Sequence, residues 1–482
     1  RTVMVPLLVL CTLKRSSRNP RQIHIPELIL KLPKKRRHYF PTRSGLNRLF
    51  LYFEFLTSLT DPFIPGRMRK HALKKAENWI IERLNGDGGL GAIFPAMINA
   101  YEALDALGYS ADHTYRQTAK KALQDLLVVK ENEAFCQPCN SPIWDTALAT
   151  LALQETDTEA GSQSVQVADN ERISIATGKA LDWLKAQQLL DEPGDWRIHR
   201  PDLSGGGWAF QFSNSHYPDL DDTSAVAWPM CQADQQTQNE RYKFSIQRAA
   251  NWIRGMQSTD GGFASFDVDN TYEYLNEIPF ADHGALLDPP SSDVSARCAI
   301  LLSCMAHNDP AFRASLDRCI AYLRNEQEAN GSWFGRWGTN YIYGTWSVLV
   351  ALEKVGIATD DPMVRRAADW LKSVQRQDGG WGEDHDTYCS PEKAGQGRTS
   401  TTFQTAWALL GLMAAGETKS PAVERGIAYL MAAQQSNGLW HDDAFTAPGF
   451  PRVFYLKYHG YDKYFPLWAL ARYRRLRQHQ PA

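Results

Sequence analysis

The chain has 482 residues, including 15 Trp and 19 Tyr, and its formal net charge is -2. This length predicts two to four domains with room for a large core, and the near-neutral charge argues against a nucleic-acid partner. The eight cysteines are scattered, and Cys136 and Cys139 form one CxxC without a second pair at zinc spacing. We interpret them as reduced thiols of a cytosolic protein.

The N-terminal region is first basic and then apolar. KKRR stands at 34–37, and Glu27 is the single acid before the apolar stretch 46–63. Two interpretations stay open: a buried helix behind a solvated basic loop, or a helix in a membrane interface beside a cationic patch that binds anionic headgroups. The chain begins without a methionine, and we therefore expect a fragment. No apolar run reaches the roughly 20 residues that a membrane-spanning helix needs.

One pattern recurs along the chain. A basic residue is followed by an aromatic residue, Gln, Gly and a closing aromatic residue at fixed spacing. The best copies are 248–263, 318–333, 366–381 and 425–440, and weaker copies are 74–90 and 179–196. Each copy predicts an amphipathic helix that ends at an Asp/Asn-Gly turn. We expect the Gln to bond the free carbonyls at the end of its own helix and the closing Trp to stack on it.

More apolar helices are predicted between these copies, and their small residues indicate burial on all sides. They are 141–153, 221–231, 291–304, 342–353, 400–413 and 463–473. Alternating outer and inner helices predict an all-α fold built from α/α toroids. We expect six inner and five outer helices in one largely complete barrel over 140–482, with repeated Gln/Trp motifs. Residues 1–139 would be part of a second barrel carrying a membrane-associating segment at 46–63.

Parallel inner helices place their N-termini at one end of the ring. Residues far apart in sequence should then converge there: Trp144, Asp145, Asp221, Asp222, Asp293, Arg297 and Tyr343.

The acidic stretch 219–222 has two explanations. Asp219, Asp221 and Asp222 open a predicted helix, and one or two aspartates there would simply cap it. Alternatively, carboxylates held close together cannot all ionise, so the cluster keeps a proton. A cation such as Arg297 would make that acid strong enough to protonate a carbon–carbon double bond, and aromatic faces would stabilise the carbocation.

Four motifs in order along the chain, together with the Gln/Trp-ended repeats, resemble squalene–hopene cyclase. They are "GGGWAFQF" (205–212), "DLDDTS" (219–224), "GSWFGRWGTNYIYGT" (331–345) and "GFPRVFYLKYHGYDKYFP" (449–466). The resemblance implies a class II triterpene cyclase that protonates squalene and forms hopene, hopanol or both, without a metal or organic cofactor. It also implies peripheral attachment to the cytoplasmic face of a bacterial inner membrane, and it leaves a homodimer open.

The resemblance also implies residue roles. Asp221 would donate the proton, with Asp219 and Asp222 as its paired carboxylates and Asp293 in the same network. Arg297 stands where the family often has His, and a guanidinium cannot relay a proton, so reprotonation would pass through water or Tyr343. The aromatic residues that would line the cavity are Trp144, Phe210, Phe280, Trp337, Phe450, Phe454, Tyr458 and Tyr461.

Other activities remain open at this point. An oxidosqualene cyclase typically carries a single Asp followed by Cys-Thr-Ala, unlike the Asp-Leu-Asp-Asp-Thr-Ser of this chain. Class II diterpene cyclases share the acid motif but not the repeats. A protein prenyltransferase subunit would need an Asp, Cys and His zinc site, a glycosidase would need a polar cleft, and a repeat scaffold would leave the acids unexplained.

Overall fold

The computed structural model describes residues 1–14, 19–29, 40, 42–156, 164–279 and 286–478, with 164–169 described as helix backbone alone. It contains two compact units. The smaller comprises Arg1–Asn140 and Thr271–Leu287, and the larger comprises Ser141–Asn270 and Asp288–Ala482. The segment Thr271–Leu287 is thus an excursion of the chain from the larger unit into the smaller one. The eight cysteines are all free thiols.

The smaller unit is mainly helical. Its elements are α1 (Met4–Leu13), α2 (Gly45–Thr60), α3 (Gly66–Glu82), α4 (Phe94–Ala106), α5 (Thr114–Asp125), β1 (Leu127–Val129) and β2 (Ala134–Cys136). Helix α4 packs against α1 and α5, and β1 pairs antiparallel with β2. That this unit is part of a second barrel remains a prediction.

The larger unit is a ring of helices in two layers. Its inner helices are α6 (Pro142–Thr156), α8 (Leu220–Thr237), α10 (Ser292–Ala306), α12 (Tyr341–Val355), α14 (Thr402–Ala414) and α16 (Tyr461–Gln478). Its outer helices are α7 (Ser164–Ala186), α9 (Lys243–Gly255), α11 (Pro310–Asn325), α13 (Pro362–Ser373) and α15 (Pro421–Ala433). Each inner helix packs on the next, and α16 packs on α6, so the inner ring closes. The predicted all-α toroid of six inner and five outer helices is confirmed.

The two layers differ in how their side chains are buried. In α14 every residue is buried, as its continuous apolar sequence predicts. Helix α13 buries one stripe at helical spacing and leaves its charged face outward: Met363, Val364, Ala367, Ala368, Trp370 and Leu371 are its buried residues.

The repeated Gln residues join neighbouring outer helices. Gln257 Nε2 donates to the turn carbonyl of Gly261 at 2.8 Å and to Ser315 of α11 at 2.9 Å, while its Oε1 accepts bonds from Ser315 and Arg318. Gln188, Gln327 and Gln375 make the same pair of carbonyl contacts. We call these contacts the glutamine staples.

The predicted role of the Gln residues is therefore wrong, and the closing Trp takes it. The indole N–H of Trp333 donates to the Leu323 carbonyl near the end of its own helix at 2.7 Å. Trp381 and Trp440 do the same. The indole satisfies a carbonyl that the helix leaves free, which releases the Gln to reach the next helix.

The turn Gly of each staple is fixed by close packing. Gly261 has φ +92, and a Cβ there would lie 2.6 Å from the Arg318 carbonyl oxygen. In the last copy, Gln434 bonds the Gly438 carbonyl at 2.8 Å, but a Cβ on Gly438 would meet nothing within 4 Å among the described residues. Among the described residues, the glutamine staples therefore link the outer helices in series from α7 to α15.

Helix α2 is exposed, which contradicts its interpretation as a buried helix. Asn47 is its only buried residue. Eight large apolar side chains in and just after it are exposed: Leu46, Leu49, Tyr52, Phe53, Phe55, Leu56, Leu59 and Phe63. The basic stretch at 34–37 lies outside the described residues. Within the described part of the chain, no helix combines the length and apolarity needed to cross a bilayer.

The N-terminus of α2 is held by the excursion Thr271–Leu287. Ser44 caps the helix and donates to Glu277 Oε2 at 2.6 Å. Asn47 Nδ2 donates to the Glu277 carbonyl at 2.5 Å and to its Oε2 at 2.9 Å. This half-buried carboxylate therefore fixes one end of a helix whose sides are exposed.

A second hairpin lies in the larger unit. Strand β3 (Ala447–Phe450) pairs antiparallel with β4 (Phe454–Leu456). At its base, the Thr339 N–H donates to the Thr446 carbonyl at 3.2 Å, which ties the hairpin to the segment that opens α12.

Candidate active site

The acidic stretch is placed by the start of α8. Asp219 has extended backbone, φ -124 and ψ 157, and its Oδ1 accepts the Asp222 N–H at 2.7 Å. Asp219 is thus the N-cap, as one interpretation predicts. Capping accounts for a single carboxylate, and Asp221 and Asp222 remain in the first turn.

Asp221 is held by Arg297 of α10. The guanidinium spans the carboxylate through two bonds, from Nε to Oδ1 and from Nη2 to Oδ2, the second at 2.9 Å. Its Nη1 donates to Ser347 Oγ at 3.1 Å. Its carbon lies 5.3 Å from the ring centroids of both Trp144 and Tyr343. Four inner helices therefore meet at one guanidinium.

The three aspartates differ in exposure. Asp221 is 8% exposed, against 3% for Asp219 and 2% for Asp222. Burial raises the pKa of the Asp221 carboxyl, while the charge of Arg297 and its hydrogen bonds lower it. The net shift is upward. Asp221 is therefore an acid whose pKa is raised by burial and whose conjugate base has a cation in direct contact.

Asp219 and Asp222 form a coupled pair. Burial raises the pKa of Asp219 to about 8, and burial together with the charge of Asp219 raises the pKa of Asp222 well above its ordinary value. Asp219 Oδ2 and Asp222 Oδ1 are buried and have no donor among the described residues unless a proton lies on one carboxyl. Two carboxyls this close cannot both ionise, so the pair holds a proton beside Asp221.

Asp293 connects the acid cluster to an aromatic loop. Its Oδ1 accepts the Ser291 hydroxyl at 2.6 Å, and its Oδ2 accepts the Trp337 N–H at 2.9 Å. It also contributes to the raised pKa of Asp221. Asp293 therefore acts on Asp221 through its charge and on Trp337 through a hydrogen bond.

Several predicted cavity residues contact one another. The Trp144 indole donates to the Tyr461 hydroxyl at 2.9 Å. Tyr461 and Tyr458 lie 5.0 Å apart between ring centroids, and Tyr458 meets Phe210 edge-on at 5.7 Å. These four rings form a continuous series, which begins with the indole beside Arg297.

The remaining predicted aromatic residues form separate contacts. Phe450 and Phe454 meet edge-to-face at 5.4 Å in the β3–β4 hairpin, and Trp337 meets Phe266 at 6.4 Å. Phe280 lies outside the described residues.

The sequence analysis missed two residues at the site. Ser347 accepts a bond from Arg297 one helical turn after Tyr343, and the i, i+4 rule could have identified it. Trp407 of α14 is fully buried, with its ring 4.9 Å from that of Tyr343. No motif distinguishes Trp407 from a core residue, so sequence alone could not have assigned it.

This geometry suits one kind of chemistry. A carboxyl group whose pKa is raised by burial is paired with a guanidinium that stabilises its conjugate base, and it stands among electron-rich rings. Such an arrangement can protonate a weak carbon base and stabilise the resulting cation. Fold and site together define the class of acid-initiated terpene cyclases.

Comparison with known proteins identifies the family. The model of the squalene-hopene cyclase N-terminal domain matches residues 1–132, and that of the C-terminal domain matches residues 140–475. The chain is 50% identical to "Probable squalene--hopene cyclase" of Sinorhizobium fredii, over 99% of this chain and 72% of that protein. It is 48% identical to "Squalene--hopene cyclase" of Bradyrhizobium diazoefficiens, over 99% and 71%. The chain belongs to the squalene-hopene cyclase family and is a class II triterpene cyclase.

Among solved structures, ent-copalyl diphosphate synthase from Streptomyces platensis is 20% identical, with a TM-score of 0.49 over 80% of this chain and 59% of that one. A likeness of this degree adds nothing to the family assignment.

Proposed function

We propose that the protein cyclises squalene to hopene, hopanol or both, with Asp221 as the proton donor. The observation that carries the proposal is the pairing of Asp221 with Arg297 in the most exposed position of a buried acid cluster. Asp219 and Asp222 are more deeply buried and bonded to each other. Asp221 is therefore the carboxyl that a substrate can reach.

In the first step, the O–H bond of Asp221 breaks as a terminal alkene carbon of squalene forms a C–H bond. The alkene π electrons form that bond, and a tertiary carbocation remains. The carboxylate left behind is stabilised by Arg297, whose bidentate contact needs no rearrangement at that moment. Successive alkenes then attack the cation, and the last cation loses a proton or captures water.

The aromatic residues stabilise positive charge as it moves along the folded chain. The rings of Trp144, Tyr461, Tyr458 and Phe210 form a continuous series that starts beside the acid. Ring faces attract cations without forming bonds to them. The protein would thus contribute shape and charge placement rather than a covalent intermediate.

Asp221 must regain a proton after each turnover. Arg297 cannot supply one, because a guanidinium stays protonated in proteins. We propose a route through water or the hydroxyl of Tyr343. Tyr343 is fully buried, its ring faces Arg297, and its hydroxyl is bonded to no other described residue.

Isotope labelling tests the protonation step. Turnover of squalene in D₂O should place one deuterium on the ring CH₂ that forms from the protonated alkene CH, detected by mass spectrometry and NMR. Product that forms in D₂O without deuterium at that carbon would contradict an exchangeable acid as the initiator.

Substrate competition tests the alternatives. Squalene, oxidosqualene and geranylgeranyl diphosphate are supplied separately at equal concentration, and kcat/KM is measured for each. We expect squalene to be cyclised to pentacyclic product. Higher kcat/KM for the diphosphate would favour the diterpene alternative, and sterol-type product from the epoxide would favour oxidosqualene cyclisation.

We further propose that α2 attaches the protein to the cytoplasmic face of a bacterial inner membrane. Its exposed apolar side chains would enter the headgroup–acyl boundary, and the basic residues before it would meet anionic lipids. A hydrocarbon substrate dissolves in the same membrane. Flotation with anionic and neutral vesicles tests this attachment.

A homodimer is tested separately, by measuring the molecular mass of the protein in detergent by light scattering.

A further inference from the structure

The turn of the β3–β4 hairpin holds an arginine where glycine is favoured. The Val453 N–H donates to the Phe450 carbonyl at 3.0 Å and closes a four-residue turn. Arg452, third in that turn after Pro451, has φ +70. A positive φ at this position is the geometry that glycine adopts without strain, and a side chain makes it costly. Strain of this kind persists where surrounding contacts maintain it.

The contact that offsets this strain is a hydrogen bond from the arginine side chain. Arg452 Nε donates to the Tyr388 carbonyl at 2.9 Å. Tyr388 is 1% exposed, and its hydroxyl lies 2.8 Å from the Gly338 carbonyl and 3.1 Å from that of Gly335. These two glycines flank Trp337. Tyr388 therefore joins the hairpin, through Arg452, to the loop that carries Trp337.

The hairpin in turn fixes two rings. Phe450 and Phe454 stand at its two strand ends and meet edge-to-face. The Phe454 ring rests on Gly449, where a Cβ would lie 2.1 Å from it. A shift of the turn therefore moves both rings together, because Phe450 and Phe454 pair across the two strands that the turn joins.

We propose that Arg452 is a positioning residue that fixes Phe450 and Phe454 relative to Trp337, and thereby determines how completely the carbocation sequence runs. This inference rests on the proposed function and extends cation stabilisation to the rings of Phe450, Phe454 and Trp337. Misplaced rings would leave a cation without stabilisation at one stage. Loss of a proton at that stage would release an incompletely cyclised product.

The deciding variant is Arg452→Gly, because it removes the side chain and the backbone strain at once. We expect the melting temperature to stay or rise, because glycine suits φ +70. Squalene consumption should stay within about threefold, while the fraction of incompletely cyclised products rises at least about fivefold, measured by gas chromatography with mass spectrometry. Arg452→Lys, which keeps a donor, should restore part of the product profile.

Gln238→Gly is the matched control. Gln238 ends α8 with φ +51 and is exposed, so glycine relieves the same kind of strain without removing a bond to an aromatic loop. Its product profile should be that of the unmodified protein. A wild-type profile in Arg452→Gly would overturn the inference.

Phe454→Ala separates this failure from failure of the proposed function. If the ring stabilises a cation, Phe454→Ala produces incompletely cyclised product whatever Arg452→Gly does. If both variants give wild-type products, the proposed role of the rings in stabilising cations is wrong. If Phe454→Ala alone changes the products, only the positioning role of Arg452 is wrong.

Discussion

Charged side chains usually lie at the protein surface and apolar ones in the core. The start of α8 and the surface of α2 both depart from this rule, each in its own way. At α8, carboxyl groups and a guanidinium are almost fully buried. At α2, most of the helix is apolar and exposed. Buried charge and exposed apolar surface both cost stability unless something else compensates.

Among the described residues, compensation is partial in both regions. Arg297 pairs with Asp221, whereas the Asp219 and Asp222 carboxyls are coupled to each other and each has an oxygen without a donor. The Glu277 contacts hold the N-terminus of α2 but cover none of its apolar sides. Under the proposed function, a substrate alkene would react at the first region and lipid would cover the second.

The largest expected effect is at the buried region. Asp221→Asn should lower kcat for squalene by about 1,000-fold or more, because the side-chain amide of Asn is far too weak an acid to protonate an alkene. Helical content by circular dichroism should be unchanged. Asp442→Asn, at a half-buried carboxylate that accepts the Thr402 N–H at the start of α14, is the matched control and should keep near-normal turnover. Equal losses in both variants would indicate damage to the ring instead of loss of the acid.

The next effect concerns the exposed region. Phe53→Glu with Leu56→Glu should weaken binding to anionic vesicles by about 100-fold, or roughly 3 kcal/mol, because two apolar side chains no longer enter the lipid. Flotation at increasing lipid concentration measures the loss. Phe244→Glu, at an exposed phenylalanine on α9, should leave vesicle binding unchanged. Equal weakening in this control would mean that α2 is not the attachment site.

A smaller effect follows from the raised pKa of Asp219. Its carboxyl has a pKa of about 8 in the folded protein, against 3.8 as the ordinary value. Between these values the folded state binds more protons than the unfolded state, so stability falls as pH rises from about 4 to about 8. Asp219→Asn keeps the N-cap but removes this titration. Its melting temperature should fall less between pH 5 and pH 8 than that of the unmodified protein, and an equal fall would contradict the raised pKa.

The smallest effect concerns the glutamine staples, where buried polar groups are fully partnered. Gln257→Ala should lower stability by about 1–3 kcal/mol, since two carbonyls lose their donor. Gln434→Ala breaks one bond at an exposed position and should cost less than about 1 kcal/mol. Thermal melts of the two variants measure the difference, and equal shifts would show that the contact to the next helix adds nothing.

Helix count and layer order could be predicted from the sequence, because each inner helix is apolar all round and each outer helix is amphipathic. The convergence of Asp221, Arg297, Trp144 and Tyr343 followed from parallel inner helices. Both predictions follow from the spacing of apolar residues along each helix, which can be read from the local sequence.

The features that the sequence analysis missed or predicted wrongly depend on contacts between helices and on backbone geometry. The Gln residues of the repeats bond the next outer helix, and the closing Trp residues bond the carbonyl near the end of their own helix. This division of roles depends on the distance to the next helix, which no local sequence pattern encodes. Trp407 reaches Tyr343 only because α12 packs on α14. The strained turn at Arg452 is a backbone property, and its sequence, Pro-Arg-Val, carries no glycine to signal it.

The closed inner ring and the staple-linked outer helices imply two kinds of cooperativity. Inner helices have neighbours on both sides, whereas the described outer helices are linked by staples only to adjacent outer helices, as in a one-dimensional array. Fraying should therefore start at α15, whose Gln434 bonds the Gly438 carbonyl and no neighbouring described helix. Amide hydrogens of α15 should exchange with solvent before those of α11, while α10 and α12 exchange last and nearly together.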